Sequence, residues 1–133
     1  MADILVVDDD LDAAEVLSEL LVMDGHQLRV AHDGAQGLAC LDDRLPDLAL
    51  LDIEMPRLSG PAMVAEMFLR DAGCERIPVI LVSAKLELRQ IAAAVGTQYF
   101  LGKPYSIDAL QELVARALDE RAPPAPALGA HPE

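Results

Sequence analysis

At 133 residues, 53% hydrophobic and 25% charged, the chain has the size and composition of one globular domain around a single core. Its net charge of −13 is opposite in sign to what a phosphate-backbone binder needs, so direct nucleic-acid binding is not expected. No apolar run reaches the length of a membrane span, and Met1 leads straight into a strand-like segment with an acidic Asp3 and no basic n-region, so neither a membrane anchor nor a secretory signal is expected.

Strand-like and helix-like segments alternate along the chain. Ile4–Val7 reads as a strand, followed by a helix over Ala13–Met23 with Ala13, Val16, Leu17, Leu20 and Leu21 on one face. Asp12 and Glu15 have capping-box spacing at its start, and Asp10 is the other candidate cap. Gly25 ends this helix; Gln27–Ala31 reads as a second strand and Ala35–Asp43 as a short helix. Asp47–Leu51 is a third strand, apolar almost throughout, as a strand covered on both faces should be. Met55, Pro56 and Gly60 mark a loop; Pro61 fits a first helical turn, and Ala62–Asp71 follows as a helix with Met63, Val64, Met67 and Phe68 inward. Pro78–Val82 is a fourth strand, Leu86–Val95 a helix ended by Gly96, and Tyr99–Leu101 a short fifth strand. Ile107–Arg121 is a final helix with Leu110, Leu113, Val114, Ala117 and Leu118 on one face. Strict alternation of this kind predicts an α/β fold with a parallel sheet, helices on both faces and right-handed crossovers. The segment 122–133 holds four prolines and little apolar bulk, so a folded unit over 1–121 and an extended or disordered tail are expected. Cys40 and Cys74 have neither disulfide-framework nor metal-site spacing and are read as reduced thiols of a cytoplasmic protein.

Polar residues gather at the carboxyl ends of the expected strands: Asp8, Asp9 and Asp10 after the first, Asp52 after the third, Ser83 after the fourth and Lys103 after the fifth. Open α/β sheets place their sites there, where the strand order reverses. Taken singly, each residue has an ordinary reading. Asp10 and Asp12 are read as helix caps, Ser83 as a turn former and Lys103 as a surface charge. Asp52 fits the cap reading poorly, because the next helix starts well beyond it, past Gly60. If the strand order is 2-1-3-4-5, Asp8 and Asp9 face Asp52. Three crowded carboxylates repel and raise at least one pKa. A hard divalent cation relieves this, with magnesium the natural choice.

The segments Ile4-Leu-Val-Val-Asp-Asp-Asp10, Asp52-Ile-Glu-Met-Pro-Arg-Leu-Ser-Gly60, Val82-Ser-Ala84 and Gly102-Lys-Pro104 together resemble the receiver domains of two-component response regulators, the CheY-like superfamily, over about residues 3–121. The resemblance implies a doubly wound (βα)5 sandwich with strand order 2-1-3-4-5. It implies Asp52 as the phosphorylated residue and Mg2+, with Mn2+ as a substitute, held by Asp9, Asp52, the Glu54 backbone carbonyl and, through water, Asp8. Ser83 and Lys103 would hold the phosphoryl group, and the Lys103–Pro104 bond would be cis. The implied donor is a phosphohistidine on a sensor histidine kinase or phosphotransfer protein. Effector contact is expected on the helix Leu86–Val95, strand five and the last helix.

Two departures from the family pattern stand out. The resemblance implies a switch in which Ser83 moves toward the phosphoryl group and the aromatic three places before the lysine rotates into the space Ser83 leaves; here that residue is Phe100 rather than the common tyrosine, so it offers no hydroxyl, and its other reading is a packed strand residue. Gln98 and Tyr99 occupy positions where many DNA-binding members carry an acidic pair used in dimerisation. Tyr99 is expected to point to the opposite face from Phe100. From their opposite charges and matching offsets past Asp52 and Ser83, Glu54 and Lys85 are expected to pair across the mouth of the site and slow access of water, against the plainer reading of two exposed side chains. A phosphatase with an aspartyl-phosphate intermediate and a receiver that binds partners without phosphorylation are the competing functions.

Overall fold

A computed structural model describes residues 2–55, 58–70 and 72–125. Pro56 of the expected loop, Asp71 at the expected end of the third helix, and residues 126–133 of the expected tail lie outside the described residues. The strands are β1 (Asp3–Val7), β2 (Gln27–Ala31), β3 (Leu48–Asp52), β4 (Val79–Ser83) and β5 (Tyr99–Gly102). The helices are α1 (Leu11–Met23), α2 (Gly34–Asp43), α3 (Gly60–Arg70), α4 (Leu88–Val95) and α5 (Ile107–Glu120), with a short 3-10 turn at Cys74–Arg76. All strands pair in parallel in the order β2-β1-β3-β4-β5, which is the doubly wound order expected from the resemblance.

Every residue of β3 and β4 is buried, because helices cover both faces of the sheet. Alternation of side chains along each strand divides the core in two. Leu5, Val7, Ala49, Leu51, Val79 and Leu81 pack under α2, α3 and α4. Ile4, Val6, Leu48, Leu50, Ile80, Val82 and Tyr99 pack under α1 and α5. No helix among the described residues is long and apolar enough to cross a membrane.

Local chemistry sets the helix starts. The Asp10 carboxylate accepts from the N–H groups of Asp12 and Ala13, so Asp10 is the cap of α1 and Asp12 lies in its first turn. With the helix begun at Leu11, the inward stripe is Ala14, Leu17 and Leu21, and Val16, expected inward, is 55% exposed. In the same way α4 starts at Leu88 rather than Leu86, which is 97% exposed. Asp33 and Ser106 cap α2 and α5 through their side-chain oxygens. Cys40 and Cys74 are free thiols.

The chain beyond α5 turns back onto the domain. Arg121 closes the helix in a left-handed conformation and its guanidinium reaches Asp47 at 3.3 Å. Ala122 packs on the α1/α5 core, Pro124 is buried, and the Ala125 N–H donates to Gly96 O at 2.8 Å. Removal of residues 122–133 is therefore expected to lower stability by about 1 kcal/mol, a few degrees in Tm. An unchanged Tm on thermal unfolding of the truncated chain counts against that seat.

Candidate functional site

The carboxyl ends of β1, β3 and β5 converge on one spot because their terminal side chains share a face. In β1 and β3 the residues two and four places before Asp8 and Asp52 belong to the α1/α5 side, as do Tyr99 and Leu101 before Lys103. The register of Val6 beside Leu50 then brings Asp8 level with Asp52. Asp8 and Asp52 are buried, Lys103 is half-buried and Asp9 is exposed. One carboxylate oxygen from each of Asp8, Asp9 and Asp52 lies within 4.8 Å of the others, a group that could hold a metal ion. Lys103 Nζ lies 3.6 Å from Asp8 Oδ2 and 4.0 Å from Asp52 Oδ1. It is the cation among these carboxylates.

The crowding has an electrostatic consequence. Burial, and after it the Asp8 charge, pushes the Asp52 carboxyl up from 3.8 to about 6, with Lys103 and the Glu54 backbone N–H acting in the opposite direction. The rise has the direction expected from clustered aspartates, but burial is its larger cause and Asp8 the aspartate that adds to it. The donor set is all oxygen, its charge is incompletely neutralised by one lysine, and its atoms converge, so the residues fit a hard divalent cation.

Neighbouring groups fix these side chains. The Asp10 N–H donates to Asp8 Oδ1 at 2.9 Å, and the Lys103 N–H donates to Ser83 O at 2.9 Å, tying the β5–α5 turn to the end of β4. The Lys103–Pro104 peptide bond is cis. Ser83 is 1% exposed and its Oγ accepts from the Lys85 N–H at 3.0 Å. An open hollow of about 580 Å3 lies over the site, lined by Asp9, Ile53, Glu54, Met55, Ser59 and Lys85. Lys85 Nζ stands 4.0 Å from Glu54 Oε2 at this mouth, with both side chains substantially exposed.

Phe100 and Tyr99 point to opposite faces. Phe100 is half-buried on the α3/α4 side with Arg89 over its ring. Tyr99 is fully buried on the other side, donates its hydroxyl to Glu120 Oε1 at 2.8 Å, and lies under the Arg116 guanidinium. Tyr99 is thereby committed within the chain.

Two contributors were not legible in advance as parts of the site. Gly60 reads as a loop marker, yet a Cβ there would lie 2.6 Å from Asp52 O. Tyr105 lines a small inner cavity of about 10 Å3 with Asp8, Asp52 and Lys103. Burial raises its phenol pKa, with Lys103 opposing and Asp8 adding to the rise. Its signal in the sequence is its place two residues past Lys103, where an amphipathic ring can face both core and site.

The fold and the acidic cleft at the strand ends define a doubly wound α/β domain with a candidate metal site, and comparison with known proteins gives the family. Residues 4–115 match the response regulator receiver domain, and the chain belongs to that family. It is 42% identical over 118 residues to the transcriptional regulatory protein CpxR of Escherichia coli, covering 87% of this chain and 47% of that protein. It is 36% identical to the response regulator MprA of Mycobacterium avium, over 85% of this chain and 48% of that one. The chain thus spans about half the length of the curated relatives it matches. Among solved structures it is similar to the receiver domain of NtrX from Brucella abortus, with a TM-score of 0.79, 34% identity, and coverage of 88% of this chain and 98% of that one. It is also similar to a CheY-like receiver domain protein from Methanospirillum hungatei, with a TM-score of 0.80, 26% identity, and coverage of 91% of this chain and 96% of that one.

Proposed function

We propose that this receiver domain takes a phosphoryl group on Asp52 from a phosphohistidine of a sensor histidine kinase or phosphotransfer protein, and that the modified state changes which partners its surface binds. The observation that carries this reading is the Asp52 carboxylate at the end of β3, grouped with Asp8 and Asp9 and 4.0 Å from the Lys103 ammonium. In the transfer, an Asp52 oxygen forms a bond to phosphorus as the phosphorus–nitrogen bond to the donor imidazole breaks, and the bonding pair returns to that nitrogen. Water later attacks the phosphorus, releasing inorganic phosphate and restoring the carboxylate. Such chemistry depends on positioning and charge neutralisation more than on covalent help from the protein.

Mg2+, or Mn2+ in its place, would be held by Asp9, Asp52 and the Glu54 backbone carbonyl, with Asp8 acting through water, and would supply charge neutralisation at the phosphoryl oxygens. Lys103, 4.0 Å from Asp52 Oδ1, would neutralise one phosphoryl oxygen. Ser83 donates its hydroxyl to another. The chain catalyses its own modification and reset rather than turnover of a separate substrate, and it works in the cytoplasm. Effector contact falls on the face of α4, β5 and α5; no role is assigned to nucleic acid or membrane.

Acetyl phosphate or phosphoramidate with Mg2+ tests this reading. The expected result is a mass gain of one phosphoryl group that is absent in Asp52→Asn. Turnover of unrelated phosphoesters would favour a phosphatase instead, and no mass gain would favour a receiver that binds without phosphorylation.

The Glu54–Lys85 pair stands at the mouth through which water must pass. Lys85→Ala is expected to shorten the phosphorylated lifetime, by about fivefold at most, since an exposed pair contributes at most about 1 kcal/mol. Loss of the phosphoryl group followed by mass spectrometry checks this; an unchanged lifetime removes the gate.

A further inference from the structure

The path of the chain beyond α5 is built by contacts that the acceptor chemistry leaves unused. Pro123 and Pro124 have no N–H, so Ala122 and Ala125 carry the amide donors of residues 122–125. Both are spent on the domain. The Ala125 N–H donates to Gly96 O at 2.8 Å, in the turn between α4 and β5. The Ala122 N–H faces the Tyr99 hydroxyl: burial raises that phenol's pKa, the bond to Glu120 adds to the rise, and the Ala122 N–H opposes it. Pro124, between the two donors in the chain, is buried. Arg121 is engaged as well, with Nε donating to Leu118 O at 2.9 Å and Nη1 to Asp47 Oδ1 at 3.3 Å. A solvated linker gives its amides to water; this segment gives them to the fold.

The segment is tied to the strand that leads to Lys103. Side-chain alternation sets Tyr99 and Lys103 on one face, four residues and about 13 Å apart, at opposite ends of β5. The Tyr99 hydroxyl donates to Glu120 Oε1 at 2.8 Å, so this contact joins β5 to the end of α5. Of the three strands that feed the site, β1 and β3 have a strand on each side, whereas β5 has β4 alone. Lys103 Nζ stands 3.6 Å from Asp8 Oδ2. Engaging a phosphoryl oxygen draws it from that partner, and β5 is the strand freest to follow. A shift of β5 against α5 acts directly on the Tyr99–Glu120 bond.

We propose that residues 122–125 are a strap locked onto the α4–β5 turn through Tyr99, and that phosphoryl capture by Lys103 loosens the lock, so that the path of the chain out of the domain reports the state of Asp52. This rests on the acceptor reading above and adds an output device to it. Such coupling is reciprocal: if a phosphoryl mimic loosens the strap, loosening the strap tightens the mimic.

The test uses the full chain, with beryllofluoride and Mg2+ as the mimic and tryptic cleavage after Arg121 as the readout. Cleavage requires Arg121 to leave Asp47, so its rate follows the population of the open strap. Release of fragment 122–133, followed by mass spectrometry, should be about two- to tenfold faster in the mimic-bound wild type, the range one hydrogen bond supplies. Tyr99→Phe keeps the buried ring and removes the hydroxyl. Without the mimic it should be cleaved about two- to tenfold faster than the wild type. Its beryllofluoride affinity should rise, by up to the factor seen for wild-type cleavage, which a purely structural role for Tyr99 would not produce. Cleavage after Arg29, inside β2, reports general unfolding and should stay unchanged. If Tyr99→Phe fails to fold, Glu120→Ala removes the same bond from a side chain that is 43% exposed and carries the same expectations. Failure of the wild type to bind beryllofluoride would sink the acceptor reading. Binding that leaves cleavage after Arg121 unchanged, or a Tyr99→Phe protein cleaved at the wild-type rate, would overturn this inference and leave that reading intact.

Discussion

Asp52→Asn should abolish phosphoryl incorporation and, at neutral pH without divalent metal, make the domain more stable than the wild type. Both effects arise from one placement. Burial and Asp8 raise the Asp52 carboxyl from 3.8 to about 6. The folded state therefore binds the Asp52 proton more tightly than the unfolded state does. The stability this group contributes is fully present below about pH 4 and is lost as pH rises through about 6. Each pKa unit corresponds to about 1.4 kcal/mol, so a charged Asp52 lowers stability by on the order of 2–3 kcal/mol at pH 7, a cost that asparagine avoids. Lys103 keeps a partner in the variant, since Asp8 Oδ2 lies 3.6 Å from its Nζ. Urea unfolding at pH 4 and pH 7 in a chelator checks the sign: the wild type should weaken between them by more than Asp52→Asn does. Excess Mg2+ should narrow the difference at pH 7, because binding to the folded state adds stability that the variant largely forgoes. Equal pH dependence of the two proteins would show that Asp52 is not held in the raised state.

Gly60→Ala is expected to damage fold and site together. The new Cβ would lie 2.6 Å from Asp52 O and 3.3 Å from both the Asp52 carbonyl carbon and Ile53 Cα. These are backbone atoms at the end of a fully buried strand, so they cannot rotate aside as a flexible side chain would. The Gly60 N–H also donates to Ile53 O at 3.1 Å, which holds the start of α3 against this strand end. Overpacking of this kind costs roughly 1–3 kcal/mol. Relief requires moving either α3 or the backbone that carries Asp52, so phosphoryl incorporation from acetyl phosphate should slow even under conditions where the variant stays folded. Denaturant unfolding and the incorporation rate measure the two effects separately. Wild-type stability and rate would mean that the α3 start shifts at no cost.

The sequence by itself carried the alternation of five strands and five helices, the burial of β3, and the identity of the acidic and basic residues at the strand ends. These are local properties: apolar periodicity, glycine and proline positions, and the offset of Asp52 from any helix it could cap. Helix phase was less legible. Asp10 and Asp12 both have capping chemistry, and only the observed start at Leu11 turns Val16 outward and Ala14 inward. The seat of Ala122 and Pro124 was hidden for a related reason. Proline-rich composition signals an extended path but says nothing about a complementary surface beneath it.

How these groups meet is set by packing. Charge alone does not say that Lys103 reaches both Asp8 and Asp52, nor which carboxylate is raised, and the size of the Asp52 shift depends on burial that pairing of β1, β3 and β4 creates. Gly60 and Gly102 look alike in the sequence, each a glycine in a motif. Three-dimensional packing separates them: a Cβ at Gly60 would press against the Asp52 backbone at 2.6 Å, whereas one at Gly102 would sit at ordinary contact distance, 4.0 Å from Leu88 Cδ2 and Ser83 O. Residue type is written in the chain, but desolvation and close approach are properties of distances between segments far apart in it, and those distances exist only once the sheet has formed.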